Sequence, residues 1–276
     1  RRKILFDGQQ VTDMAFQYPD MVKDALLEGI KPLLPEGYDI AKHFTPKYRP
    51  WQQRIAFVPE GDLFAGIKAG KASMVTDEIE TFTESGVVTK DGIVIDADIV
   101  VTATGFHLSV LGDIPFDLDG NPVDWSETVT YRGMMFTGIP NLAWVFGYFR
   151  ASWTLRADLI ADFVCRLLHH LDDRDASMVT PVLRDEDADM DLLPWVDPED
   201  FNPGYLTRSM HLLPRQGAGE PWRHTQDYWS DKDSIPAADL DDVAALARSL
   251  GAIRRGAFGS TCPDVWSALP SVELLL

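Results

Sequence analysis

A chain of 276 residues, 45% hydrophobic and 25% charged, has the composition of a globular protein and room for one large domain or two modest ones. Its 43 acidic against 25 basic residues leave a formal charge of −18, which argues against nucleic acid as a ligand because phosphate recognition needs clustered lysine and arginine. No apolar run reaches the ~18 residues expected of a transmembrane segment, and two distant cysteines, Cys165 and Cys262, imply no disulfide framework and a cytoplasmic setting.

Arg1–Gln10 carries no clear pattern. Asp13–Leu34 predicts a helix, with Met14, Val22, Leu26, Leu27 and Ile30 near helical spacing and Pro32 and Pro35 stopping it. Pro46, Pro50 and Pro59 keep His43–Pro59 irregular, a loop rich in aromatic and basic side chains of the kind that often carries function. Asp62–Gly70 reads as a short helix with Asp62 as N-cap and Gly70 as its stop. Met74–Thr83 is strand-like, and Gly86 opens a hairpin that turns at Asp91-Gly92. The returning arm runs into Ile99-Val100-Val101, a continuous apolar run typical of a strand covered on both faces in a parallel α/β sheet. It ends in Thr102-Ala103-Thr104-Gly105, small residues and a permissive glycine at a strand's carboxyl end, where backbone can approach a ligand. Taken bare, the pattern suits a plain sheet edge and turn equally well.

A polar segment then leads to Thr130, and Met134–Phe149 predicts two short strands around Gly138-Ile139-Pro140. Ser152–Leu171 is the strongest helix, its stripe formed by Leu155, Leu159, Ile160, Phe163, Val164, Leu167, Leu168 and Leu171, with Ser152 as N-cap. Gly147–Thr154 therefore leads a strand through glycine to a helix N-terminus, where free N–H groups and the positive dipole end attract negative charge. Asp172–Asp200 holds eleven acids against Arg174 and Arg184, a net of −9, and reads as a solvated acidic linker. Tyr205–Leu213 and Leu240–Leu250 are further helical stretches. The six histidines show no metal-ligand spacing, since His169 and His170 are helical neighbours that point apart. Cys165 reads as apolar filler, and Trp222 and Arg215 as structural rather than channel-lining. No G-x-G-x-x-G follows a strand: Gly217-Ala218-Gly219 has Trp222 at the third glycine position.

Four segments stand in one order: His43–Arg54 (HFTPKYRPWQQR), Glu80–Phe106, Pro140-Asn141-Leu142 and Gly147–Asp158 (GYFRASWTLRAD). In this order they resemble the C-terminal half of the flavin-containing and Baeyer–Villiger monooxygenases, especially the subgroup that activates thioamide drugs. The resemblance runs from about Tyr38 to Tyr228 and includes Pro214–Tyr228 (PRQGAGEPWRHTQDY). It implies an α/β fold, the C-terminal part of a two-dinucleotide-binding-domain flavoprotein. Residues 1–103 would be the end of the NADPH-binding domain with its helical insertion, 104–171 the returning part of the FAD-binding domain, and 172–276 an acidic linker and C-terminal extension. Both glycine fingerprints of such enzymes would lie upstream, so the resemblance implies a portion of a longer enzyme.

The implied cofactors are FAD and NADPH, and the implied partners are O2 and a small ketone or sulfur-containing substrate. A nitrogen- or sulfur-oxidising relative, a non-oxygenating flavin reductase and a truncated, non-catalytic chain stay open as alternatives. Arg54 matches the arginine with which Baeyer–Villiger enzymes stabilise the peroxide formed when reduced flavin meets oxygen. A fixed guanidinium in a dry site lowers the energy of such an anion; the plainer reading is a surface arginine paired with a nearby acid. Gln53 stands where relatives commonly carry a lysine that helps hold the NADPH 2′-phosphate. Thr104 and Gly105 would approach a cofactor through backbone. Ser152, Trp153, Thr154 and Leu155 would meet the flavin's pyrimidine edge, with Arg150 where relatives usually have asparagine.

Overall fold

The computed structural model describes residues 2–241, and the chain divides after Phe106 into two units. Cys262 and most of the predicted Leu240–Leu250 helix lie outside the described residues.

The first unit opens with α1 (Arg2–Gln17) and α2 (Pro19–Ile30), followed by a 3-10 turn at Lys31–Leu33. The helix expected over Asp13–Leu34 thus begins earlier and is broken in two. Pro19 lacks an N–H and disfavours helical geometry in the residue before it, and Tyr18 sits at φ −135°, ψ 59°. α3 (Ile40–His43) is capped by Asp39, whose carboxylate accepts from the Lys42 N–H at 2.9 Å. In α4 (Asp62–Lys68) the cap is Gly61 in the left-handed region, so Asp62 is the first helical residue rather than the cap. Leu34, Phe64 and Ile67 form a small core with Ile30, Tyr38 and Phe44 packed on it.

β1 (Ile79–Thr83), β2 (Gly86–Thr89) and β3 (Val94–Asp96) make an antiparallel meander in sequential order, pairing Phe82 with Val87 and Val87 with Ile95. The strand expected from Met74 starts five residues later, at Ile79. The turn falls at Asp91-Gly92 as the dipeptide requires: Gly92 has φ +83° and its N–H donates to Thr89 O at 2.9 Å. Ile99-Val100-Val101 forms no strand, and Ile99 and Val101 are 81% and 82% exposed. A strand covered on both faces needs hydrogen-bonded neighbours and packed layers. Among the described residues no strand pairs with this run, so its apolar character alone does not make it one.

The second unit pairs β4 (Asp117–Leu118) with β5 (Asn121–Pro122) and β6 (Thr130–Tyr131) with β7 (Met135–Phe136). It continues through α5 (Trp153–Asp173), β8 (Leu192–Leu193), α6 (Gly204–Ser209), β9 (Gln216–Gly217), which pairs with β8, and α7 (Tyr228–Ser234). Of the two strands expected within Met134–Phe149 only β7 forms. Leu142–Phe149 joins no ladder, although 145–149 are buried and the Trp144 N–H donates to Met134 O at 2.7 Å. α5 buries Leu155, Ile160, Phe163, Leu167 and Leu171, and packs on Tyr131, Met134, Met135 and Trp222. Leu168, expected on that stripe, is exposed. Trp222 is buried, as a structural role requires, and Cys165 is half-buried on α5.

The acidic stretch 172–200 is not a linker. Val179 belongs to the α5 core, and Trp195 and Val196 enter a second core with Phe136, Phe146 and Phe149. Its net charge conceals these apolar residues: the acids stay mostly outside while the Arg184 guanidinium holds Asp187 at 2.6 Å and Glu186 at 2.9 Å. The fold is mixed α/β, with antiparallel ladders throughout the described residues and one isolated parallel bridge, Val129 to Arg215. Among these residues no helix is long and apolar enough to cross a membrane.

Candidate functional site

Leu142–Gly147 is apolar enough to be buried, but among the described residues no strand pairs with it, so its backbone polar groups need other partners. Gln226 supplies them at the end of the run: its Oε1 accepts from the Phe149 N–H at 2.7 Å and its Nε2 donates to Gly147 O at 3.4 Å. Gly147 itself is dictated by Trp153, because a Cβ there would stand 2.2 Å from the indole ring. Trp153 folds back over this glycine, 5.3 Å from the Phe146 ring, and stays 43% exposed.

Ser152 occupies the N-cap position at φ −64°, ψ 132°, as the sequence predicts, but its hydroxyl bonds to Thr154 Oγ1 at 2.8 Å. Its side chain makes no cap hydrogen bond to the first turn of α5. A 21-residue helix therefore ends in N–H groups not taken up by the N-cap side chain, with the partial positive charge of its dipole. Ser152, Trp153 and Thr154 are exposed there, and Leu155 is buried beneath them.

One residue further on, α5 carries an arginine in the buried register of its stripe. Arg156, 1% exposed, donates from Nη1 to Asp231 Oδ2 (2.8 Å) and Thr225 O (2.6 Å), and from Nη2 to Arg132 O (2.8 Å). Asp231 also accepts from the Tyr148 hydroxyl at 2.7 Å and from the Thr225 hydroxyl. Burial, with the Asp231 charge beside it, pushes the Tyr148 phenol far above its ordinary pKa and keeps it a donor. Gly133 packs its backbone against the same cluster: a Cβ there would lie 2.5 Å from both Arg156 Nη2 and His224 Cδ2.

His224 is buried and stacked on Trp195, ring centroids 4.0 Å apart. Its Nε2 lies 2.9 Å from Gln226 Nε2 and its Nδ1 3.4 Å from Trp195 O. Since Phe149 claims the oxygen of Gln226, the amide nitrogen must face His224. Nε2 then accepts and Nδ1 carries the proton. Burial first, then the Arg156 charge, hold this imidazole well below its ordinary pKa. An unfolded chain takes up a proton at about pH 6.5 that the folded one refuses, so stability is full above that pH and falls as the pH drops below it. Urea midpoints are expected to decline from pH 7 to 5.5, with a limiting slope of about 1.4 kcal/mol per pH unit. His224→Asn should flatten this part of the profile, and an equal decline in the variant would assign it to other groups.

The residues singled out from sequence fall in different units. Arg54 is exposed and Gln53 half-buried in the irregular segment between α3 and α4, while Thr104 and Gly105 are exposed in the irregular stretch after β3, Gly105 at φ +94°. All four belong to the first unit; Ser152–Leu155 belong to the second. Arg150, the departure from the resembled pattern, is tethered to Asp200 by its carboxylate at 3.1 Å and its carbonyl at 2.5 Å. Tyr148, Arg156, His224, Gln226 and Asp231 were not singled out. One sequence signal existed: Arg156, Ile160, Phe163 and Leu167 share a helical face, and an arginine there requires a buried carboxylate.

Searches find no matching family model and no matching solved structure. Curated sequences do match. The chain is 43% identical over 229 residues to the FAD-containing monooxygenase EthA of Mycolicibacterium smegmatis, covering 83% of this chain and 46% of that protein. It is 44% identical over 226 residues to the FAD-containing monooxygenase EthA of Mycobacterium tuberculosis (82% and 45%). To the Probable FAD-binding monooxygenase AlmA of Acinetobacter baylyi it is 41% identical over 224 residues (81% and 44%). The chain thus spans under half the length of these relatives, and most of its own length is related to them.

Proposed function

We propose that this relative of the FAD-containing monooxygenases is the C-terminal portion of a Baeyer–Villiger-type enzyme that uses NADPH, FAD and O2. The observation that carries the reading is the uncapped first turn of α5, presented beside the exposed Trp153 on a buried polar support. These residues fit a flavin: the N–H groups and dipole suit an edge that gains negative charge on reduction, and the indole suits a flat aromatic ring. Bound flavin supplies the electron transfer and oxygen activation.

In this reading Ser152, Trp153 and Thr154 bind and orient the flavin edge, and Leu155 seats the turn in the core. Arg54 offers a guanidinium to negative charge developing during oxygen activation. Gln53 would stand where relatives commonly carry the lysine that helps hold the NADPH 2′-phosphate, and Thr104-Gly105 would let backbone approach a cofactor. Residues 1–103 would complete an NADPH domain and 104–171 an FAD domain of the two-dinucleotide-binding kind; the division after Phe106 supports a boundary there. The exposed run Ile99–Val101 suits a strand completed by the remainder of a longer enzyme. Use of NADPH and the cysteine content support a cytoplasmic setting.

The overall reaction uses the two electrons of NADPH to place one oxygen atom of O2 in a ketone or sulfur substrate and to release the other as water. The test is the full-length protein with FAD and NADPH, offered a ketone and a sulfide under labelled oxygen. One labelled atom in an ester or lactone per NADPH consumed is expected. Sulfoxide alone would move the reading to a sulfur-oxidising relative, and NADPH oxidation yielding only hydrogen peroxide would move it to a flavin reductase.

A further inference from the structure

Gln226 serves a backbone stretch that no strand pairs with among the described residues. The Gly147 carbonyl and the Phe149 N–H of Leu142–Phe149, on either side of Tyr148, both bond to the one carboxamide of Gln226. That is the donor and acceptor pair which the N–H and C=O of one residue in an adjacent strand would offer. The carboxamide is itself fixed by His224 through the 2.9 Å contact to Nε2. His224 is fixed in turn, its backbone N–H donating to Gln216 Oε1 at 2.9 Å while Gln216 Nε2 donates to Pro194 O at 2.9 Å and Trp195 O at 3.1 Å. Two sets of hydrogen bonds, joined covalently through His224, therefore link Pro194–Trp195 to the Gly147–Phe149 backbone. Only Arg150, Ala151 and Ser152 separate that backbone from α5.

We infer that Gln226, seated by His224, is the positioning residue of this site, clamping the Gly147–Phe149 backbone and so fixing how the first turn of α5 meets a bound flavin. The inference rests on the flavin reading given above. Gln226 need not touch the flavin; it acts through the backbone it holds. A filler of the same volume would preserve the packing and lose the clamp, which makes Gln226→Met the informative substitution.

In the full-length protein, Gln226→Met should speed hydrogen exchange at the Phe149 amide by at least about tenfold. It should also change the ratio of affinities for oxidised and reduced FAD by about tenfold, read as a potential shift of about 30 mV for a two-electron couple. Should Gln226→Met lose its cooperative unfolding transition, Gln226→Asn carries the same test, being one methylene too short to span both backbone groups. Unchanged protection at Phe149 overturns the inference. So does lost protection with an unchanged potential, which makes Gln226 a structural residue only. A parent protein that takes up no FAD fails the flavin reading itself, and the inference falls with it.

Discussion

Arg54→Ala in the full-length protein is expected to bind FAD and accept electrons from NADPH while oxygen transfer falls at least ~100-fold, the scale of losing one preorganised charge donor. Arg54 follows Trp51-Gln52-Gln53 and precedes the Ile55–Val58 run, in the segment whose order with the others resembles the Baeyer–Villiger enzymes. Its side chain is exposed in the first unit, where an arginine serving only as a surface cation would leave oxygen transfer close to that of the parent. The two roles therefore differ by orders of magnitude in one measurement. With oxygenation impaired, reducing equivalents should leave as hydrogen peroxide, so NADPH consumption, peroxide release and product are measured together. Arg54→Lys should recover little, because an ammonium cannot reproduce the planar fork of a guanidinium. Product yield in Arg54→Ala close to that of the parent would reduce Arg54 to a surface cation.

What could be read from the sequence depended on how local each signal was. The Asp91-Gly92 turn, the α4 helix and the α5 helix are written in a few adjacent residues, and the structure forms all three. Ile99–Val101 carried an equally clear apolar pattern and formed no strand, because a covered strand is defined by neighbours that a run of three residues cannot specify. The acidic segment misled for the opposite reason: eleven carboxylates outweighed Val179, Trp195 and Val196, yet those apolar residues decide where the segment goes. The exposed turn at Ser152–Thr154 was legible from glycine followed by a helix start. Its support was not, since Gln226 bonds to residues 77 and 79 positions away and Asp231 to an arginine 75 positions away. Contacts of that span leave no periodicity in one sequence.

That support should be costly to break, and Arg156→Met is expected to destabilise the fold by about 3–5 kcal/mol, the range for removing one partner of a buried ion pair. The side chains of Arg156 and Asp231 are 1% and 4% exposed, so water does not screen the carboxylate once the guanidinium is gone. The Tyr148 and Thr225 hydroxyls would still donate to Asp231, but neither carries charge. Asp231→Leu alone should be similarly costly, stranding a buried guanidinium. The double variant separates charge from hydrogen bonding. Replacing both partners removes the stranded charge and should recover part of the loss, since apolar substitutes for buried pairs are often tolerated. Recovery should stay incomplete, because Arg156 also satisfies the carbonyls of Thr225 and Arg132, and a buried carbonyl left without a donor costs about 1–3 kcal/mol. Urea unfolding of the four proteins gives the coupling energy directly. A cost below about 1 kcal/mol for Arg156→Met would mean that the pair is solvated in solution, and that α5 is held at its N-terminal end by apolar packing alone.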